Sequence, residues 1–250
     1  MTRSLFVHLL PALTTREQLQ HQAAVVIDIL RATTTILQAL DAGVVAVTPV
    51  REIEEARRTS ARLPRPVLLG GERAGTRIQG FDLDNSPWNY TPDVCAGRQL
   101  VFTTTNGTRA LDTCREAETI FVGAFSNLSA LCVALAESSR DVHLVCAGTD
   151  GEVTLEDVLF AGAVAHRLVG TSGDFRIGND SARLALGLLP SKLDRASLLE
   201  LLRVSRGGQN LLDLGYDRDL EWAAEIDRIP LIATWDPVAN IIVGQSPAPD

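Results

Sequence analysis

Apolar runs along the chain alternate with amphipathic stretches at a regular spacing. Ala23 to Ile29 (AAVVIDI) is apolar throughout except for Asp28, the pattern of a strand buried on both faces. Ala32 to Leu40 follows as a helix, with Ile36, Leu37 and Leu40 on one side and Gly43 placed to end it. Val44 to Val50 reads as a strand, Arg51 to Leu63 as a charged helix, and Pro66 to Leu69 as a short strand entering Gly70-Gly71-Glu72. The same alternation resumes at Gln99 to Thr104 (strand), Gly107 to Ala117 (helix), Thr119 to Ala124 (strand) and Asn127 to Glu137 (helix). Asp141 to Cys146 is a strand and Leu155 to Val169 a long helix. This grammar predicts an α/β fold: a mainly parallel β-sheet layered by helices.

Two segments depart from the rhythm. Arg73 to Gly97 carries Gly75, Gly80, Pro87, Pro92 and Gly97 with Phe81, Trp88 and Tyr90 between them. A loop of this length inside a compact domain is usually functional. The C-terminal part reads as helical, with Ser181 to Leu189 and Ser197 to Leu214 as helices and Ile229 to Trp235 as an edge strand. No Pro-, Gly- or Ser-rich linker divides the chain, so residues 1–250 read as one α/β domain; a two-lobed organisation would divide near 97–100. A weak internal similarity links Asp28 to Thr35 with Thr103 to Arg109: each is a threonine-rich stretch between an apolar strand and a helix.

Composition narrows the function classes. Hydrophobic residues make up 46% and charged residues 22%, ordinary for a globular chain and far from a disordered one. The net charge of −8 argues against a nucleic-acid binder, which needs a basic face. It leaves room for a small anionic substrate, because a few arginines can reverse the field within one cleft. Lys192 is the only lysine, so no other lysine could form a Schiff base. Cys95, Cys114, Cys132 and Cys146 contain no C-x-x-C pair. The first residues are too short for a signal-peptide core, and no apolar run reaches the ~18 residues of a membrane span. The expectation is a cytoplasmic protein with no membrane contact; a homodimer is the base-rate oligomer.

In a parallel α/β sheet, ligands bind beyond the carboxyl ends of the strands. Four such ends are polar here: Asp28 with Arg31, Thr33, Thr34 and Thr35; Gly71-Glu72-Arg73; Thr103 to Arg109; and Gly148 to Asp157. Hydroxyls, free amides and arginines suit phosphate. Carboxylates in the same place would repel it, unless a divalent cation lies between them; one or two carboxylates plus substrate oxygens and water suit Mg²⁺. Together these groups describe phosphoryl transfer. Plainer readings stand beside this one. Thr33, Ser126 and Thr154 also fit helix caps. Asp28, closing an apolar strand, is paired with Arg31, a metal ligand, or a nucleophile.

Other signatures fail. Asp82-Leu83-Asp84 has the Asp-x-Asp spacing of haloacid dehalogenase-type phosphatases, but no apolar strand precedes it. There is no Gly-x-Gly-x-x-Gly, Walker loop or Gly-x-Ser-x-Gly. His8, His21, His143 and His166 sit in structural contexts.

Four stretches, VVIDILRATTTILQAL (25–40), GGERAGTRIQGFDLDNSP (70–87), FTTTNGTRAL (102–111) and VCAGTDGEVTLEDVLFAGAV (145–164), resemble the 2-phosphosulfolactate phosphatase family of coenzyme M biosynthesis; a weaker match runs from Ser205 through Gly215 and Asp219 to Asp227. The resemblance implies a family-specific α/β phosphatase fold and Mg²⁺-dependent hydrolysis of 2-phospho-3-sulfolactate to 3-sulfolactate and phosphate. It carries over to Asp28, Arg31, Thr33, Thr34, Glu72, Asn85, Ser86, Thr104, Asn106, Gly107, Thr108, Arg109, Gly148, Glu156 and Asp157. Of these, Asp28, Glu72, Glu156 and Asp157 are the candidate metal ligands. Asp28, Arg31, Glu72 and Asn106 are the candidate catalytic residues. The remaining carried-over residues are candidates for holding substrate, and Arg73 or Arg77 is expected to meet the sulfonate. Two mechanisms stay open, attack by a metal-activated water or by Asp28 itself. So does another phosphorylated hydroxy acid as substrate, or a non-catalytic phosphate-ester-binding role. Asp84, before Asn85, and the run Ser205-Arg206-Gly207-Gly208 depart from the family pattern, which bears on the non-phosphate end of the substrate.

Overall fold

The computed structural model describes residues 2–64, 66–171 and 174–247. The chain opens with β1 (Arg3–His8), the short helix α1 (Arg16–Leu19), β2 (Ala23–Ile27), α2 (Ala32–Asp41), β3 (Ala46–Val50) and α3 (Ile53–Arg62). A hairpin, β4 (Val67–Arg73) and β5 (Thr76–Arg77), leads through a loop to α4 (Pro92–Cys95) and β6 (Gln99–Thr103). Then come α5 (Gly107–Thr113), β7 (Thr119–Gly123), α6 (Leu128–Glu137), β8 (Val142–Cys146), α7 (Leu155–Thr171) and β9 (Phe175–Ile177). The C-terminal part is α8 (Asp180–Gly187), α9 (Arg195–Val204), α10 (Arg206–Asp213), α11 (Asp217–Ala223), β10 (Ile232–Asp236) and β11 (Ile241–Gln245). The α/β alternation predicted from the sequence is therefore present, with a mixed sheet and a helical C-terminal region.

All strands join one sheet in the order β5-β4-β6-β3-β11-β10-β7-β2-β8-β1-β9. It contains two parallel blocks. One is β4-β6-β3, the other β7-β2-β8-β1-β9. Between them lies the antiparallel hairpin β10–β11, paired with β7 on one side and β3 on the other. The predicted edge strand at Ile229 to Trp235 is instead central. Its burial explains this: Ala233 and Trp235 are buried and alternate with more open positions, the signature of an antiparallel strand with one face on the core. By contrast, every residue of β2 and β8 is buried, as parallel strands covered on both faces require.

Helix α2 is buried from Ala32 through Leu40 and packs against β3, β7 and β11. Leu37 is fully covered, and truncating such a side chain to Ala costs about 2–5 kcal/mol. The chain crosses from the five-strand block to the three-strand block through α2 and returns through α5. The two threonine-rich stretches similar in sequence are these two crossovers. Helix α5 packs against β2, although β6, which feeds it, lies in the other block. The crossovers thus bring the carboxyl ends of β2 and β6 together, the kind of switch point where α/β sheets bind ligands.

The long loop after β5 fastens onto α2. The Thr35 hydroxyl donates to the Asn85 carbonyl at 2.8 Å, and the Gln38 amide to the Tyr90 carbonyl at 3.0 Å. The predicted helix Ser197 to Leu214 is two helices. Ser205 breaks it in an extended conformation, and its hydroxyl accepts from the Gly208 amide at 3.1 Å to cap α10. Cys95, Cys114, Cys132 and Cys146 are all buried free thiols. No helix among the described residues is long and apolar enough to cross a membrane.

Candidate active site

A cleft of about 580 Å³ opens where the two crossovers meet. Asp28 and Arg31 reach it from the β2–α2 turn, Glu72 from β4, Asn85 from the long loop, and Thr104 and Asn106 from the β6–α5 turn. Helix α10 closes the far side with Asn210 and Asp213, followed by Leu214, and the β8–α7 loop adds Thr149 and Asp150.

The β2–α2 turn is fixed by its own side chains. The Thr33 hydroxyl donates to the Asp28 carbonyl at 2.9 Å and accepts from the Asp28 amide at 3.2 Å. The Thr34 hydroxyl donates to the Ile29 carbonyl at 2.8 Å. Both threonines are buried, and neither caps α2. The structure therefore spends these hydroxyls on holding Asp28 in place, where the sequence reading had them on phosphate. Asp28 accepts from the Ala32 amide at 3.3 Å through Oδ1. Burial, reinforced by the Glu72 and Glu156 carboxylates, pushes its carboxyl up to about 7; the Ala32 amide and Arg31 oppose the rise.

Glu72 is held from two sides. Oε1 accepts from the Thr105 amide at 3.1 Å, and Oε2 from the Gly75 amide at 2.8 Å. Its carboxylate thereby ties the β4–β5 turn to the β6–α5 turn. Gly107, the first residue of α5, packs so close that a Cβ there would lie 3.0 Å from Asp28 Oδ2 and 3.1 Å from Thr104 Oγ1. Only glycine fits this approach without displacement. The Thr108 hydroxyl donates back to the Thr104 carbonyl at 3.0 Å, and Arg109 is exposed away from the cleft.

Glu156 and Asp157 stand behind the cleft wall. Asp157 accepts from the Ile29 amide at 2.9 Å and from the Gly148 amide at 3.0 Å, so its carboxylate clamps the β2–α2 turn to the loop after β8. Glu156 faces Gly207 at the start of α10, where a Cβ would fall 2.0 Å from Oε1; its Oε2 is buried with no hydrogen-bond partner. Burial holds both carboxyls above the usual range.

Arg31 does not pair with Asp28. Its Nη1 donates to Asp219 Oδ2 at 2.7 Å and its Nη2 to the Gly75 carbonyl at 2.8 Å, while the guanidinium lies 4.4 Å over the Tyr216 ring. Ser86, expected beside the substrate, donates to Asp219 Oδ1 at 2.5 Å instead. Arg73 and Arg77 also lie off the cleft. Arg73 spans the Glu72 and Arg51 carbonyls and the Thr103 hydroxyl, and Arg77 reaches the Asp82 carbonyl on the outside of the hairpin. The Asp-x-Asp pair is structural: Asp82 accepts from the Leu69 amide, and Asp84 from the Ser86 amide, Asn89 and Tyr216.

Tyr216 and Asn210 were not singled out from sequence, and Asp219 entered only as a position of the weaker C-terminal match, with no role attached. A buried arginine in need of a carboxylate was the signal available for its role. Among the described residues, Arg31 is the sole basic side chain lining the cleft, against the carboxylates of Asp28, Glu72, Asp150 and Asp213.

Carboxylates, one arginine and hydroxyl and amide groups thus meet at a switch point of an α/β sheet. A model of the 2-phosphosulpholactate phosphatase family matches residues 8–237. A Synechococcus protein named probable 2-phosphosulfolactate phosphatase is 42% identical over 84% of this chain and 87% of its own length. Proteins of the same name from Deinococcus radiodurans (41% identity; 88% and 90% covered) and Caldicellulosiruptor saccharolyticus (38%; 92% and 94%) are similarly related. The chain belongs to the 2-phosphosulfolactate phosphatase family, as its motifs implied, and is a phosphatase of the class that acts on small phosphorylated acids.

Proposed function

We propose that this chain hydrolyses 2-phospho-3-sulfolactate to 3-sulfolactate and phosphate with Mg²⁺, in the cleft between the β2–α2 and β6–α5 crossovers. The observation that carries this reading is the convergence of Asp28, Arg31, Glu72, Asn85, Thr104 and Asn106, from four separate segments, on one cleft. The family relationship supplies the reaction class.

The residues present suit a divalent cation. Several carboxylates face a cleft with one arginine, and Asn85, which lines it, has a buried Oδ1 with no hydrogen-bond partner. A highly charged ester would be repelled here without further positive charge. No three Asp, Glu, His or Cys side chains among the described residues form a ready-made metal cage. Mg²⁺ is commonly held by one or two carboxylates together with substrate oxygens and water. Asp28 and Glu72 would hold it, with Asn85 Oδ1 beside them. When bound, it would supply charge neutralisation and polarisation of the phosphoryl oxygens.

The chain's own groups do the rest. Arg31 offers its remaining N–H groups to the phosphoryl oxygens as charge-assisted donors. Thr104 and Asn106 line the same wall. Hydrolysis adds the oxygen of water to phosphorus, breaks the bond from phosphorus to the ester oxygen, and returns a proton to the leaving hydroxyl. Asp28 is placed either to attack phosphorus or to orient the group that does. Hydrolysis of an ester made chiral at phosphorus separates these routes: direct attack by water inverts the configuration at phosphorus, whereas passage through a phospho-Asp28 intermediate retains it.

One observation favours a second substrate reading. The α10 side of the cleft carries Asn210 and Asp213 but no cation, and neither Arg73 nor Arg77 reaches it. A phosphorylated hydroxy acid with a less charged tail would need no cation on this wall. The test is a phosphate-release screen of 2-phospho-3-sulfolactate and other phosphorylated hydroxy acids, with Mg²⁺ and with EDTA. The expected result is fastest release from phosphosulfolactate, lost in EDTA. Faster release from another ester would establish the second substrate reading. Binding of esters with no release in Mg²⁺ would reduce the protein to an anion-binding one.

A further inference from the structure

We propose that Asp219, held by Ser86, is a positioning residue that sets the Arg31 guanidinium for the phosphoryl group; this rests on the reading of the cleft as a phosphate-ester site. Asp219 does not line the cleft, whereas Arg31 does. The two side chains are 2% and 3% exposed and meet at 2.7 Å. Each oxygen of Asp219 has one donor: Arg31 Nη1 on Oδ2, and the Ser86 hydroxyl on Oδ1 at 2.5 Å. Ser86 is itself fixed, because its amide donates to Asp84 Oδ1 at 2.9 Å. Asp84 Oδ2 accepts from the Tyr216 hydroxyl at 3.2 Å, and the Tyr216 ring lies under the guanidinium. The circuit Arg31–Asp219–Ser86–Asp84–Tyr216 therefore closes on itself and touches the cleft only through Arg31.

A buried ion pair is a poor source of net stability, because desolvating both charges offsets much of their attraction. This pair has a different physical consequence. The cleft offers Arg31 competing carboxylates in Asp28 and Glu72. A flexible arginine beside them would fold onto the nearest one and lose its orientation toward an incoming anion. Asp219 on one side, the Gly75 carbonyl on another and the Tyr216 ring on a third leave the guanidinium one direction in which to donate. A guanidinium has five N–H donors in a rigid fork, and these contacts account for two of them.

The test is a double-mutant cycle on the full chain: wild type, Asp219→Asn, Arg31→Ala and the double variant. Each is measured for kcat and KM on 2-phospho-3-sulfolactate with Mg²⁺, for orthophosphate affinity by calorimetry, and for Tm. Asp219→Asn is expected to raise KM and weaken orthophosphate binding tenfold or more, and to change neither further (within twofold) once Arg31 is Ala. Multiplying effects of the two substitutions would overturn the proposal, as would an Asp219→Asn protein that loses Tm but keeps wild-type KM and orthophosphate affinity. If Asp219→Asn does not fold, Ser86→Ala replaces it, with a roughly threefold effect expected that disappears in the Arg31→Ala background. If the wild type releases no phosphate from the ester, the functional reading fails on its own. The orthophosphate affinities still decide whether Asp219 acts through Arg31.

Discussion

Gly107 and Asp28 belong to crossovers that leave different blocks of the sheet, yet a single added methyl on Gly107 would stand 3.0 Å from Asp28 Oδ2. The same methyl would stand 3.0 Å from the Ala32 Cβ and 3.1 Å from Thr104 Oγ1. This contact is the point at which the two halves of the cleft are registered against each other. Gly107→Ala is expected to push the β6–α5 turn away from Asp28 by a few tenths of an ångström. Activity should fall at least tenfold, because small misplacements of reacting groups are costly. Loss of stability should stay near 1–2 kcal/mol, the usual range for modest overpacking. Kinetics alongside urea denaturation checks both; a variant with wild-type kcat/KM would show that this contact does not register the site.

Asp28→Asn should trade activity for stability. Burial and the Glu72 and Glu156 carboxylates hold the Asp28 carboxyl at about 7, against 3.8 for an ordinary aspartate. Above pH 7 the native state therefore carries an unfavourable charge. As pH falls from 7 toward 4, the native carboxyl takes up a proton before the unfolded one does, and the penalty disappears. In EDTA, the Asn variant should be more stable than wild type by on the order of 2 kcal/mol at pH 8, with the gap closing toward pH 4. Its phosphate release should be abolished. Equal stability at pH 8, or retained turnover, would contradict the placement of Asp28.

Arg73 and Arg77 carry the opposite expectation. Arg73 follows Glu72 in sequence and Arg77 faces it across the β4–β5 hairpin, but their guanidinium groups engage the Arg51 and Asp82 carbonyls away from the cleft. Arg77→Ala should leave KM and kcat within about twofold of wild type. Arg73→Ala should cost stability through its lost contact with Thr103, by about 1 kcal/mol, with a similarly small change in KM. A tenfold rise in KM for either variant would place that arginine on the substrate.

The buried histidines His8 and His143, which do not line the cleft, give the protein an acid-sensitive pair. His8 Nε2 and His143 Nδ1 are 2.9 Å apart, and the rings stack at 5.2 Å between centroids. Burial lowers both to about 4. Between pH 6.5 and 4 the unfolded chain binds protons that the native rings refuse, so stability is lost as pH falls through this window. Wild type should lose at least 1 kcal/mol across it relative to a His8→Gln/His143→Gln variant, as read from urea midpoints. Parallel pH dependence of the two proteins would show that these rings titrate normally.

Strand ends and helix starts were legible because buried parallel strands are continuous apolar runs. That is how Asp28, Glu72, Thr104 and Asn106 could be set on one edge without coordinates. The direction of hydroxyls was not legible. Thr33 and Thr34 look alike whether they face a ligand or their own backbone, and the structure turns both to the backbone of the Asp28 turn. The partner of Arg31 was equally hidden. Asp219 is 188 residues away in sequence, and only the packing of α11 against the turn after Pro87 brings it near. The central position of β10 was missed because a short alternating strand at the C-terminus reads as an edge; its neighbours on both sides come from much earlier in the chain.

The most direct measurement is a crystal structure of the protein with Mn²⁺ in place of Mg²⁺ and orthophosphate, collected at the manganese absorption edge. The expected result is an anomalous peak bonded to Asp28 and Glu72, with phosphate beside Arg31. Manganese or phosphate bound elsewhere, in crystals whose dissolved protein still releases phosphate, would show that this cleft is not where the reaction takes place.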